Sequence, residues 1–337
     1  MATTRDAFIR LLDINPFLAG RMDDKMATAH AFDRSCRETG FLMITGHGVP
    51  DRLIRNAFDE FHGFFQLLTS DKVRSRSARG DNLRGYVGLE ENALSYSIGN
   101  KTPPDLFERY TCGRPDVPDD AYHNARRESI FQPNIWPAGR PAMGRMISDY
   151  FREMERLIAD LLRICAMACG IDEQFFADKI DRHSPLLSAN LYPEQPVAPK
   201  LGQLRAGAHT DYGSLTILAT EDRPGGLQVR NTQGDWIDVR PVPGSFIINV
   251  GDLMARWTND CWVSTLHRVV NPPLEDARSA RRLSIVFFHH PNQDAVIECI
   301  PTCATAEQPA KYPPITAGEY IMQKFAKQRA DALPAKR

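Results

Sequence analysis

No run of apolar residues in this chain approaches the ~20 needed to span a bilayer. The longest clearly apolar stretches, residues 245–250 and 284–288, are of strand length. The N-terminal residues carry Asp6 and Asp13 where a secretory leader needs an uninterrupted apolar centre. There is no excess of either charge: 41 Lys and Arg stand against 42 Asp and Glu, a net of −1, with no basic block. Binding to a nucleic-acid backbone runs on clustered cations, so neither a nucleic acid nor a membrane is expected as partner. The seven cysteines are an odd number without a CxxC pair. That excludes a disulfide scaffold and points to reduced thiols in a cytoplasmic protein. Internal repeats and low-complexity tracts are lacking too. What remains is 337 residues, 42% hydrophobic and 25% charged, enough to enclose a large core.

The pattern changes along the chain. Residues 20–75 and 140–185 carry apolar residues at helical spacing. In one segment Leu53, Ile54, Ala57, Phe58, Phe61, Phe64, Phe65 and Leu68 form a stripe, with Asp51 placed to cap it. In another, Met143 to Cys165 form the stripe of a long helix that Gly170 stops. FLMITGHGV after Gly40 reads as a buried strand. Residues 76–136, punctuated by Gly and Pro, read as loops with short strands. From Leu186 the period becomes two. GLQVR, DWIDVRPV, SFIINVGD, HRVVNP, RLSIVFFHHP and AVIECI are short strand-like runs separated by turns, a barrel or sandwich pattern. Gly225-Gly226 reads as a hairpin turn, without the strand and helix flanks of a dinucleotide site.

The chemistry concentrates in AHTDYGSLTIL. In an extended segment His209 and Asp211 point to the same face, so an imidazole and a carboxylate converge. A third candidate, His267, lies in the strand-like STLHRVVNP. Two histidines and one carboxylate on barrel strands match the facial triad of non-haem Fe(II), which leaves coordination positions open. Arg282 and Ser284 share a strand face further on, and a guanidinium with a hydroxyl suits a carboxylate. Other features have plainer readings. His47 reads as structural, Cys165 and Cys169 as core thiols, and Trp257 and Trp262 as packing.

HTDYGSLTIL, NVGD (Asn249 to Asp252), LHRVVNP and RLSIVFF occur in an order and spacing that resemble the Fe(II)/2-oxoglutarate-dependent oxygenases of the isopenicillin N synthase-like superfamily. CRETGFLMITGHGV (36–49), FFQLLTSDK, RGY (84–86) and NIWP (134–137) resemble that family's N-terminal half. The likeness runs over roughly residues 8–325.

The resemblance implies a mainly β fold with flanking helices: a double-stranded β-helix, or jelly roll, with a helical and loop N-terminal region packed on it. It divides the chain into an N-terminal dioxygenase region (8–115), a connecting segment with a long bracing helix (116–185), the Fe(II)/2-oxoglutarate core (186–300) and a C-terminal segment and helix (301–337). It makes His209, Asp211 and His267 the ligands of Fe(II). Arg282 and Ser284 would receive the distal carboxylate of 2-oxoglutarate, and Tyr192 and Asn190 in SANLYPEQP would contact the co-substrate and line the metal pocket. Phe288 and His290, in phase with Arg282, are candidate substrate contacts, as are Tyr212 and an inward-pointing Arg84. The implied activity hydroxylates or desaturates a small-molecule metabolite, consuming O2 and 2-oxoglutarate and releasing succinate and CO2. Two alternatives stay open: an iron oxidase or oxidative cyclase that does not consume 2-oxoglutarate, and a catalytically silent small-molecule-binding protein on the same scaffold. Substrate identity and oligomeric state are not legible.

Overall fold

A computed structural model gives the arrangement of residues 8–332. The strands that matter for the site are β1 (Arg10–Asp13), β2 (Phe41–Thr45), β3 (Gly85–Val87), β4 (Glu108–Gly113), β5 (Leu186–Tyr192) and β6 (Ala206–His209). They continue with β7 (Leu215–Thr220), β8 (Leu227–Arg230), β9 (Trp236–Val239), β10 (Phe246–Val250), β11 (His267–Val269) and β12 (Arg282–Phe288). A major sheet of eight strands runs β1-β2-β10-β7-β12-β5-β4-β3, and a minor sheet of four runs β6-β11-β8-β9. From β5 to β12 successive strands alternate between the two sheets except at the β8–β9 hairpin, and this is the jelly-roll core.

The N-terminal strands complete the major sheet. β2, the buried run FLMIT, pairs with β10, and β1 lies parallel to β2 at that edge. At the other edge β4 pairs with β5, and β3 with β4. The helical stripes cover the outer face. The helix Pro141–Ala168 packs along Met22–Glu38 and Asp51–Phe65, with Met143, Tyr150, Met154, Leu161 and Cys165 buried in the core it shares with the sheet, where Phe151 meets Phe287 edge-on. This helix ends as its sequence requires, with Gly170 at a φ of +69° that an L side chain avoids.

Several details differ from the sequence reading. Pro50, not Asp51, occupies the N-cap of the helix Asp51–Phe65, and Asp51 instead stands in its first turn, where a carboxylate complements the helix dipole. Gly225-Gly226 is not a hairpin turn, because β7 and β8 belong to different sheets and these glycines lie on the crossover. Gly225 has a φ of +77°, and a Cβ there would meet the Pro272 nitrogen at 2.7 Å and Arg205 at 2.8 Å. The buried Arg205 guanidinium holds the crossover through the carbonyls of Pro224 and Gly225 and ties it to those of Pro193 and Ala280. A short helix, Asp252–Trp257, follows β10 in a region read as strands alone. His47 is structural: its Nδ1 accepts from the Val49 amide and its Nε2 donates to the Gly244 carbonyl. All seven cysteines are free thiols, and Trp257 and Trp262 are fully buried. Among the described residues no helix is long and apolar enough to cross a membrane.

Candidate active site

The two sheets open at one end, and three side chains meet there. His209 ends β6 and His267 begins β11, and the two are direct partners in the antiparallel ladder. Cross-strand neighbours bring their side chains close, and the imidazole centroids are 4.3 Å apart. Asp211 follows β6 by two residues. Its Oδ1 lies 4.0 Å from His209 Nε2 and 3.8 Å from His267 Nε2. One atom from each residue fits within a 4.8 Å span, and these three form the single such group of His, Cys, Asp and Glu among the described residues.

The surroundings fix which atoms face inward. His209 Nδ1 donates to the Gly207 carbonyl at 2.8 Å, and His267 Nδ1 to the Thr265 carbonyl at 3.1 Å. Each bond leaves Nε2 with its lone pair free, the arrangement that orients metal-binding histidines. Asp211 Oδ2 accepts from Asn249 Nδ2 at 2.8 Å on β10 and from Thr216 Oγ1 at 2.7 Å on β7. Its Oδ1 is thereby left for the centre. Burial opposes ionisation of Asp211, but His267, His209 and these two donors outweigh it and hold the carboxyl below its ordinary value. Burial, with His267 close by, pushes His209 down to about 4. A neutral imidazole and an ionised carboxylate are the forms that bind a metal.

The inner face of the major sheet is the floor of the cavity, and its side chains stand in rows across the strands. Arg282 is opposite Tyr192; Ser284 is flanked by Asn190 and Thr220; Phe288 is flanked by Leu186 and Thr216. Period-two alternation puts these residues on one face, and all of them except Thr220 line a cavity of about 280 Å³ that also reaches the His209, Asp211 and His267 group. Arg282 is 3% exposed, donates to Thr220 Oγ1 at 2.7 Å and lies over the Tyr192 ring at 4.5 Å. Burial lowers its pKa, with partial recovery from Tyr192 and Glu221. Arg282 Nε and Asn190 Oδ1 are buried without a hydrogen-bond partner among the described residues. Such atoms are costly unless a ligand satisfies them. With the N/N/O donor set and the open face above it, they fit Fe(II) with 2-oxoglutarate beside it.

His290 and Tyr212 also line the cavity. His290 donates through Nδ1 to the Ser184 carbonyl, and burial pushes it down to about 4, so a neutral ring is presented. Tyr212 packs edge-on against Phe325 of the C-terminal helix Ala317–Ala332. Arg84 is a correction. It is 2% exposed and does not line the cavity. Its guanidinium donates to the carbonyls of Leu83 at 2.7 Å, Ile130 at 2.7 Å and Gln132 at 3.1 Å, so it staples two loop segments instead of awaiting a substrate.

Sequence reasoning passed over Asn249 and Thr216, which aim Asp211. Both lie inside quoted motifs, yet only the β10–β7 pairing reveals that they meet it. Arg109, which lines the cavity from β4, was also passed over. Phe107, Arg109 and Thr111 share one strand face, a period-two signal in a segment that otherwise reads as loop.

Comparison with known proteins agrees with this geometry. The model of the 2OG-Fe(II) oxygenase superfamily matches residues 183–291, and that of the N-terminal region of non-haem dioxygenases in morphine synthesis matches residues 9–139. The chain is 32% identical over 330 residues to a homoarginine-6-hydroxylase of Oryza sativa subsp. japonica, covering 94% of this chain and 96% of that one. It is 34% identical over 318 residues to the 2-oxoglutarate-Fe(II) type oxidoreductase hxnY of Emericella nidulans, covering 92% and 87%. A full-length Neurospora crassa protein crystallised with alpha-KG superposes with a TM-score of 0.83 at 32% identity, over 96% of this chain and 98% of that one. A further structure of that protein holds alpha-KG and thymine. The chain belongs to the 2OG-Fe(II) oxygenase superfamily. It is a non-haem dioxygenase that uses Fe(II), 2-oxoglutarate and O2.

Proposed function

We propose that His209, Asp211 and His267 hold Fe(II), that Arg282 and Ser284 hold the distal carboxylate of 2-oxoglutarate, and that a small-molecule substrate enters the cavity over Phe288, His290 and Tyr212. The observation that carries this reading is the convergence of His209 Nε2, His267 Nε2 and Asp211 Oδ1 beside a buried guanidinium with an unsatisfied N–H. With Fe(II) and 2-oxoglutarate bound, the site couples decarboxylation of the oxo acid to succinate and CO2 with oxidation of a substrate C–H bond, by hydroxylation or desaturation.

The protein's share is positioning and exclusion of water. Gly207 and Thr265 set the tautomers of the two histidines, and Thr216 and Asn249 aim the carboxylate. Asn190 and Tyr192, on the strand beside Arg282, form the wall along the co-substrate. Arg282 keeps its charge in this role, because a guanidinium is not deprotonated in proteins.

Two measurements test this. Anaerobic titration with Fe(II) is expected to fill the site in the wild type and to fail in His209→Ala and Asp211→Ala. A hydrogen bond to a charged group contributes about 1.5–3 kcal/mol. Arg282→Gln is therefore expected to raise the KM for 2-oxoglutarate roughly 10- to 100-fold, at about 1.4 kcal/mol per tenfold. Unchanged iron affinity in the ligand variants, or an unchanged KM in Arg282→Gln, contradicts the assignment.

A further inference from the structure

The cavity contains a second guanidinium that the co-substrate does not account for. Arg109 stands on β4 in the same cross-strand row as Asn190 and Ser284, with β5 between it and β12. Neighbouring strands are ~4.8 Å apart, so its backbone lies on the order of 10 Å from that of Ser284. Arg282 leans the other way, to Thr220 on β7.

Arg109 lacks a carboxylate partner among the described residues. Its one side-chain hydrogen bond goes from Nη2 to Asn92 Oδ1 at 3.1 Å, and its Nε is buried without an acceptor. Nearby acids are committed elsewhere. Asp105 accepts from the amides of Leu94 and Gly207. Glu91 pairs with Arg76 and accepts from the Gly88 amide, and Asp81 accepts from the Leu83 amide and from Gln132. A buried cation with a single neutral partner is costly. Burial depresses the Arg109 pKa to about 10, with partial recovery from Asp105 and Tyr192, neither of which it hydrogen-bonds, and this leaves it charged at neutral pH.

Asn92 sharpens the picture. Because its Oδ1 accepts from Arg109, its Nδ2 is fixed as the remaining donor, and that atom is also buried without a partner. Arg109 and Asn92 both line the cavity. Two donors without acceptors, one from the sheet and one from the loop that covers it, thus sit side by side.

On the reading of the site given above, we propose that Arg109 and Asn92 form a subsite for a carboxylate of the substrate, which makes the substrate class a small carboxylic acid. One carboxylate oxygen takes Arg109 Nε–H and the other Asn92 Nδ2–H, so that binding ties the loop to β4. Three strand steps and four residues separate Arg109 from Thr216, which aims Asp211. The oxidised carbon therefore lies several bonds from the carboxylate, not next to it.

The test uses the full chain loaded with Fe(II) and 2-oxoglutarate. Small aliphatic and aromatic carboxylic acids are each paired with their primary amide, and substrate-dependent succinate release is measured. The acids are expected to be turned over with kcat/KM about 100-fold above their amides. Arg109→Gln should lower kcat/KM for the acids about 100-fold while changing the amides by less than about threefold. That corresponds to roughly 2.7 kcal/mol at 1.4 per tenfold. Asn92→Ala, a loop variant with little risk to folding, should lower the acids about tenfold, and Arg109→Lys should restore part of the loss. Equal turnover of acids and amides, or equal losses on both in Arg109→Gln and Asn92→Ala, overturns the proposal. These outcomes are separable from failure of the site reading, which shows as wild-type protein that does not bind 2-oxoglutarate at all.

Discussion

The two oxygens of Asp211 have different partners, and on the proposed reading this asymmetry leaves one of them for the metal. Oδ2 is held by Thr216 and Asn249 on the major sheet, so Oδ1 meets the histidines of the minor sheet. Removing such an outer partner typically costs about 10- to 100-fold in metal affinity. Asn249→Ala is therefore expected to weaken Fe(II) binding by that amount without unfolding the protein, as read by anaerobic iron titration. An affinity equal to wild type would show that Thr216 alone suffices. At this scale the sequence was most legible where chemistry and parity coincide. Arg282, Ser284 and Phe288, grouped by two-residue alternation, line one cavity with His209 and Asp211. It was least legible for arginines outside that pattern. Arg84 and Arg109 both lie in a stretch read as loops, and only folding distinguishes them. One is spent on three backbone carbonyls, and the other faces the cavity.

At the scale of elements, the site depends on two motif loops packed backbone to backbone. The amides of Gly251, Asp252 and Leu253 donate to the carbonyls of Ser214, Asp211 and Gly213. A Cβ on Gly251 would sit 2.2 Å from the Gly213 oxygen, and one on Gly213 would sit 2.1 Å from the His289 oxygen. Overpacking of this kind costs about 1–3 kcal/mol. Gly251→Ala is expected to lower stability by that amount, measured by denaturant unfolding, and to lower iron affinity because Asp211 moves with the loop. These glycines are visible in the sequence, but their reason lies in contacts between segments far apart in the chain, Gly251 with Gly213 and Gly213 with His289.

Glu221, just after β7, links the helix Asp51–Phe65 to β12. It accepts from His62 Nε2 at 3.0 Å and from the Leu283 amide at 2.7 Å. Burial opposes its ionisation, but His62 and the Leu283 amide prevail and hold its pKa below the ordinary carboxylate value. A depressed pKa in the folded state contributes stability above the unfolded value, about 4.3, and loses it as pH falls through the folded one. Glu221→Gln should cost about 1 kcal/mol at neutral pH. The gap to wild type, followed by urea unfolding, should close as the pH is lowered below about 4. A gap independent of pH would contradict the assigned role.

At the scale of the molecule, the fold brings the proposed iron ligands, two of them on the minor sheet, to the proposed co-substrate receivers on the major sheet, around one cavity. The sequence pattern identified β8 to β12 and the long helix, but it set the run AVIECI beside them, where Val296–Ile297 in fact pair with Ile315–Thr316 in a separate two-stranded sheet. It did not show that β1 and β2 would extend one edge of the major sheet, or β3 and β4 the other, because pairing between distant segments leaves no local periodicity. Nor did it show the C-terminal helix as cover. Phe325 packs on Tyr212, Met322 lines the cavity, and Lys324 reaches Asp252 at 2.6 Å. Phe325→Ala should admit water and raise succinate formation without substrate relative to substrate-coupled turnover, as measured by succinate and product together.

The central claim is that one iron centre and one buried arginine bind 2-oxoglutarate jointly. The direct measurement is the visible absorption of the anaerobic protein with Fe(II) and 2-oxoglutarate, where chelation of iron by the oxo acid gives a metal-to-ligand charge-transfer band. The band is expected in the wild type, absent in Asp211→Ala, and reached only at much higher 2-oxoglutarate in Arg282→Gln. Iron bound without the band, or a band whose 2-oxoglutarate dependence ignores Arg282, would contradict the account.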